Sequence, residues 1–170
     1  MQFIRRSEDN KFVYCVQPYT DIDNNLPYYE VARDDYATVL NLTEEQWDRV
    51  SLLAYYGYQY NENGYDHTAK KWYAITQVMI WRTTNPESDI YFTDTLNGNR
   101  ITKYTKEMEE IEFLCDVIKT HMGSWTTDYN GVEVLEKPST KYQNFVHMCD
   151  YLASRKCILF SFDENNNIID

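Results

Sequence analysis

No stretch of this sequence approaches the roughly 18 consecutive apolar residues that a membrane-spanning helix needs, so membrane insertion is not expected. Basic residues are scarce: Lys and Arg number 16 against 27 Asp and Glu, a formal net charge of −11. Phosphate binding needs clustered Lys and Arg, so nucleic acid is not an expected partner, and the charge serves solubility. There is no C-x-x-C pair and no histidine at a zinc spacing, which argues against a structural zinc and leaves neither metal nor cofactor expected. The histidines, His67, His121 and His147, are scattered and read as surface or helix-end residues. Low-complexity tracts, internal repeats and domain-scale linkers are also missing. With 43 % apolar residues in 170, the expectation is one ordered, monomeric domain over residues 1–170. The opening Met1-Gln2-Phe3-Ile4-Arg5-Arg6 lacks the apolar segment of a signal peptide. Composition alone fits a cytosolic protein or an excised piece of an exported one.

What the chain does have is aromatic residues: 16 Tyr, 7 Phe and 4 Trp. Tyrosine suits both binding surfaces and β-rich cores, since its ring packs while its hydroxyl stays wet. Phe12 to Val16 reads as a short strand ending before Pro18, with Cys15 near its end, opposite the face shared by Phe12, Tyr14 and Val16. Gln17 to Tyr36 reads as a long polar connection. Thr43 and Gln46 form a capping box for a helix to Tyr56, with Trp47, Val50, Leu53 and Ala54 on one stripe and Gly57 as the stop. A second helix is expected over His67 to Arg82. A weakly β stretch with an Asn97-Gly98 turn follows. The third helix, Thr105 to Met122, is the most periodic, with Met108, Ile111, Cys115, Ile118 and Met122 in register. Gly131 to Glu136 reads as a strand. A fourth helix over Thr140 to Ser154 places Tyr142, Phe145, Cys149 and Leu152 together, and Lys156 to Phe162 is a last strand. The fold class is therefore α+β: about four central helices packed with a small antiparallel sheet formed by N- and C-terminal strands.

The second helix contains the informative anomaly. Lys71-Trp-Tyr-Ala-Ile-Thr-Gln-Val-Met-Ile-Trp-Arg82 is the most apolar run of the chain, and Gln77 sits in its middle. Its helical neighbours are Tyr73, Ala74, Ile80 and Trp81. An unpaired amide buried there costs about 1–3 kcal/mol, so that amide must be satisfied or consumed.

Three functional readings follow. Cys15 could be the nucleophile of a cysteine hydrolase or transferase with a histidine as base. The chain could be a non-covalent binding module working through its tyrosines. Neither accounts for Gln77. In the third, Tyr14-Cys15, Tyr55-Tyr56-Gly57-Tyr58, Trp72-Tyr73-Ala74-Ile75-Thr76-Gln77 and Ile80-Trp81 together resemble the thioester domains of Gram-positive surface adhesins. His121 followed by Ser124-Trp125 resembles the segment that closes the family's helical region. The similarity runs from about Tyr14 to Trp125. Met79 stands where members often have alanine, a packing change that leaves the chemistry intact.

The resemblance implies an internal thioester between Cys15 and Gln77, formed autocatalytically. The thiolate of Cys15 attacks the side-chain carbonyl of Gln77 and expels ammonia, helped by the proximity the fold imposes. It further implies that an amine, such as a lysine on a host cell-surface or matrix protein, attacks that carbonyl and releases Cys15. The outcome is an intermolecular amide bond made once, without turnover: a covalent adhesin, not an enzyme. The family setting implies an extracellular, cell-wall-anchored location with a signal peptide before and stalk domains after. Tyr14, Tyr73, Thr76 and Trp81 would shield or position the bond, or simply pack there. His67 is the candidate base for the incoming amine. If Cys15 is committed to a thioester, the other three cysteines form at most one disulfide. Cys115 and Cys149 lie on apolar stripes and are expected as buried free thiols, with Cys157 open.

Overall fold

The computed structural model describes residues 4–20, 41–121, 130–132, 136–154, 161–162 and 168–169. The expected connection after Gln17 therefore lies almost wholly outside the described residues. So do Ser124-Trp125, half of the Gly131–Glu136 strand, and Cys157. The fold is α+β. Its elements are β1 (Ile4–Arg5), β2 (Phe12–Val13), α1 (Glu44–Tyr56), α2 (Lys70–Thr84), β3 (Phe92–Thr93), β4 (Arg100–Ile101), α3 (Thr105–Lys119), α4 (Lys141–Ser154), β5 (Ser161–Phe162) and β6 (Ile168–Ile169). Among the described residues four helices are present, in keeping with the periodicity. The strands pair differently from expectation. Each pairs antiparallel with its sequence neighbour, giving three two-stranded hairpins, and among the described residues no N-terminal strand joins a C-terminal one. A hairpin closes over a short loop, whereas joining the two ends of the chain would carry a larger loop-closure cost.

The chain gathers into two compact units, Met1–Cys115 and Asp116–Asp170. In the first, α1 begins where the sequence signal puts it. The Thr43 side chain accepts from Gln46 N, the Gln46 side chain accepts from Thr43 N, and Glu44 and Glu45 occupy the first turn. Gly57 ends the helix, its N–H donating to the Leu53 carbonyl. The second helix starts three residues later than expected. His67 belongs to the preceding loop, where its N–H donates to Tyr60 O and its carbonyl accepts from Gln59 N. From Ile75 to Ile80 every residue of α2 is buried, so this helix is the axis of the unit. Val50 and Leu53 of α1, Trp72, Ile75, Met79 and Ile80 of α2, and Ile111 and Cys115 of α3 form the core, with Tyr14, Val16, Trp47 and Met108 packed against it. Salt bridges Lys71–Glu107 and Arg49–Glu112 tie α2 and α1 to α3 on the surface. Exposed pairs of this kind add little; the apolar core supplies the hold. The Asn97-Gly98 turn is present between β3 and β4, and Gly98 takes the positive φ of +71° that glycine adopts without penalty.

In the second unit, Thr140 and Gln143 cap α4 reciprocally: the Thr140 N–H donates to Gln143 Oε1, and the Gln143 N–H donates to Thr140 Oγ1. Gln143 is also the buried member of this helix, its Nε2 donating to both the carbonyl and the carboxylate of Asp116. The expected buried stripe is largely exposed. Tyr142 is 50 % exposed and Phe145 68 %, Leu152 is half-buried, and Cys149 is a free, exposed thiol rather than a core one. Periodicity identifies the apolar face of a helix but not what covers it. Cys115, by contrast, is buried as expected and in no disulfide.

Candidate functional site

The segment that carries Cys15 leaves β2 at Val13 and continues along α2, and side chains of one helix take the place of a partner strand. Tyr73 Oη donates to the Val13 carbonyl at 2.8 Å and accepts from Ile4 N at 3.2 Å. One turn on, the carboxamide of Gln77 makes two bonds to Cys15: the Cys15 N–H donates to Oε1 at 2.9 Å, and Nε2 donates to the Cys15 carbonyl at 2.6 Å. Two turns further, Thr84 Oγ1 donates to the Val16 carbonyl at 2.8 Å. Residues 73, 77 and 84 share a face of the helix by their spacing of four and seven. That face supplies the polar groups an extended backbone otherwise finds in a sheet.

The amide that the sequence flagged is therefore satisfied, and by the residue that bears the candidate thiol. Gln77 is 2 % exposed, while Cys15 is half-buried and its thiol donates to the Gln17 carbonyl at 3.0 Å. Residues 62 apart in the chain are brought into register by this pair of bonds.

Rings close over one side. Tyr14 stacks on Tyr73 with centroids 5.2 Å apart, and Tyr58 and Phe12 meet Tyr73 at 5.7 and 5.9 Å. Burial pushes the Tyr14 hydroxyl far above the usual tyrosine range, partly offset by hydrogen bonds with the Thr76 side chain and the Tyr58 backbone. Burial raises Tyr73 as well. Both phenols stay protonated at neutral pH and serve as neutral hydrogen-bonding walls rather than as bases. Thr76 is fully buried beside Gln77; its Oγ1 donates to the Trp72 carbonyl and accepts the N–H of Tyr58. Gly57 makes this contact feasible, because a Cβ there would sit 2.2 Å from Thr76 Oγ1. Trp81 is half-buried, and among the described residues its Nε1 is buried without a partner.

His67 is placed differently from the role considered for it. It is neither a surface residue nor an available base. Its ring is fully buried and stacked 3.7 Å from the Trp72 ring. Nδ1 lies 2.6 Å from the Tyr56 carbonyl and 3.1 Å from that of Gly57, and Nε2 lies 2.8 Å from Glu110 Oε1. Both nitrogens are thus engaged by partners other than Cys15 and Gln77. The ring fastens the turn after α1 to α2 and α3. In the second unit, His121 Nδ1 contacts the Ile118 carbonyl and His147 Nδ1 the His121 carbonyl.

Sequence reasoning missed Thr84, Gly57 in its packing role, and Glu110. Thr84 had a readable signal, lying seven residues beyond Gln77. Glu110 had none, since nothing local marks a partner 43 residues from His67. Among the described residues no group of three or more His, Cys, Asp or Glu side chains could hold a metal ion.

The arrangement puts a thiol-bearing residue and a carboxamide carbon in enforced proximity, inside a wall of neutral rings. The family model described as TED: Thioester domain matches residues 12–116. No curated protein and no solved structure gives a significant match to the chain.

Proposed function

Given that this chain belongs to the thioester domain family, a family of covalent-binding domains, we propose that its bond is an internal thioester between Cys15 and Gln77. The observation that carries this reading is the reciprocal pair of hydrogen bonds between the Gln77 carboxamide and the backbone of Cys15. A tetrahedral intermediate at the Gln77 carbonyl carbon develops negative charge on Oε1, and the Cys15 N–H already donates to that atom, as an oxyanion donor should. The Cys15 sulfur adds to this carbon, the bond to Nε2 breaks, and ammonia departs with the thiol proton. Holding both groups in one geometry supplies the large effective molarity such an attack needs. The thioester is opened by an amine: its nitrogen bonds to the Gln77 carbonyl carbon, the C–S bond breaks, and the amine proton passes to the Cys15 thiolate. No group is regenerated, so each molecule acts once.

We further infer that the amine is a lysine on another cell's surface or matrix protein, and that the domain serves adhesion from a cell-wall-anchored protein. The family match supports the covalent part of this reading, and Cys15, the leaving side of the bond, is only half-buried although Gln77 is enclosed. Intact-mass spectrometry tests the core of the reading. Untreated protein should weigh one ammonia less than its sequence, methylamine should add its full mass to that species, and Cys15→Ala should restore the sequence mass. Full sequence mass in freshly folded protein, unchanged by methylamine, would sink the assignment.

A further inference from the structure

We propose that the backbone carbonyl of Cys15 selects the nucleophile, favouring primary amines over secondary ones. This rests on the Cys15–Gln77 thioester and goes beyond it. Among the described residues, the hydrogen bond to this carbonyl comes from Gln77 Nε2, at 2.6 Å. When Nε2 leaves as ammonia, the acceptor loses its donor in a partly buried position, which is costly. The Cys15 N–H, in contrast, keeps Oε1 as its partner, because that oxygen stays on the acyl group.

By microscopic reversibility, the incoming nitrogen arrives where Nε2 departed, facing the Cys15 carbonyl. A primary amine brings two N–H bonds. One proton is transferred to the Cys15 thiolate as the C–S bond breaks, and the other donates to the Cys15 carbonyl while the attacked carbon is tetrahedral. The selection acts at that stage: in the planar trans secondary amide that results, Oε1 still accepts the Cys15 N–H, but the remaining amide N–H points away from the Cys15 carbonyl. A secondary amine has a single proton, which cannot be held by the carbonyl and delivered to sulfur at once. Its tetrahedral intermediate leaves either the carbonyl without a donor or the thiolate without a proton. A site that hydrogen-bonds its substrate in this way discriminates strongly against an analogue lacking the donor. The lysine side chain and the small primary amines meet the requirement; an N-alkylated lysine does not.

The test measures adduct formation by intact mass with methylamine, isopropylamine and dimethylamine. Each rate is divided by that amine's rate with a simple alkyl thioester in the same buffer, which removes intrinsic basicity and nucleophilicity. Methylamine and isopropylamine should keep similar normalised rates. Dimethylamine should fall about tenfold or more below them, equivalent to about 1.4 kcal/mol. Equal normalised rates for dimethylamine and methylamine overturn the proposal. So does a parallel drop for isopropylamine, which would mean that bulk rather than the N–H count decides. The spectrum taken before any amine is added separates the two levels. An ammonia deficit without selectivity refutes only the role of the carbonyl, whereas no deficit removes the thioester and this proposal together.

Discussion

Replacing Gly57 with alanine tests whether the turn after α1 and the Thr76 position on α2 are built around one close approach. A methyl carbon there would lie 2.2 Å from Thr76 Oγ1, 2.5 Å from Thr76 Cγ2 and 2.6 Å from the Leu53 carbonyl, where ordinary contact begins at 3.4 Å. The helix cannot give way easily, because Thr76 is fully buried and tied to the Trp72 carbonyl. Overpacking of this kind costs about 1–3 kcal/mol. Pushing Thr76 aside also weakens its hydrogen bond with the Tyr58 N–H, for about 0.5–1.5 kcal/mol more. Urea denaturation should therefore show Gly57→Ala destabilised by roughly 1.5–4.5 kcal/mol, the sum of those two ranges. Thr76→Ala alone loses the threonine's hydrogen bonds and methyl group, with no overpacking. In the double variant the threonine atoms that the new methyl strikes are gone, so the two costs should fall short of additive by at least about 1 kcal/mol. The Leu53 carbonyl still crowds the methyl, so the rescue is incomplete. The measurement belongs in a Cys15→Ala background, where no cross-link contributes. Costs that add to within about 0.5 kcal/mol would refute the contact.

Further expectations follow from the same geometry. Tyr14 and Tyr73 have hydroxyls raised by burial above their unfolded value. Their contribution to stability is whole below an unfolded tyrosine pKa of about 10 and is lost as pH rises beyond it. Alkaline unfolding of Cys15→Ala protein should accordingly move to higher pH in Tyr14→Phe, and an unmoved transition would contradict the burial argument. Tyr73→Phe removes the hydroxyl that joins Val13 and Ile4 to α2, at a cost of roughly 1–3 kcal/mol. Faster spontaneous loss of the thioester to hydrolysis, followed by mass, should accompany it. His67→Gln should lower the unfolding free energy by about 1–3 kcal/mol, since it removes a fully buried ring hydrogen-bonded to the Tyr56 carbonyl and to Glu110. Its aminolysis rate per folded molecule should match that of the parent at every pH; a rate loss confined to one side of a pH profile would restore His67 as a base.

How much of this was legible from the residues depended on the range of the signal. The Thr43–Gln46 box and the Gly57 stop are local, and α1 lies between them as read. Gln77 was legible for a different reason: a primary amide in an apolar helix conflicts with its surroundings, and such conflicts mark functional positions. The identity of its partner came from resemblance, because no periodicity links residues 62 apart. Where sequence reasoning failed, it lacked knowledge of what lies across a gap. His67 reads as a surface or helix-end residue until Glu110 and the Trp72 ring are seen around it. The α4 stripe is apolar in sequence and largely exposed in structure. Short terminal strands suggest one sheet, yet each finds a nearer partner across its own turn.

On the proposed reading, the 62-residue separation of Cys15 and Gln77 also ties activation to completed folding. A nascent or unravelled polypeptide holds only an ordinary thiol and an inert amide, with nothing to waste on stray amines or water. Reactivity switches on when the N-terminal segment docks along the buried helix, so possession of the warhead certifies that the molecule displaying it has reached its native state.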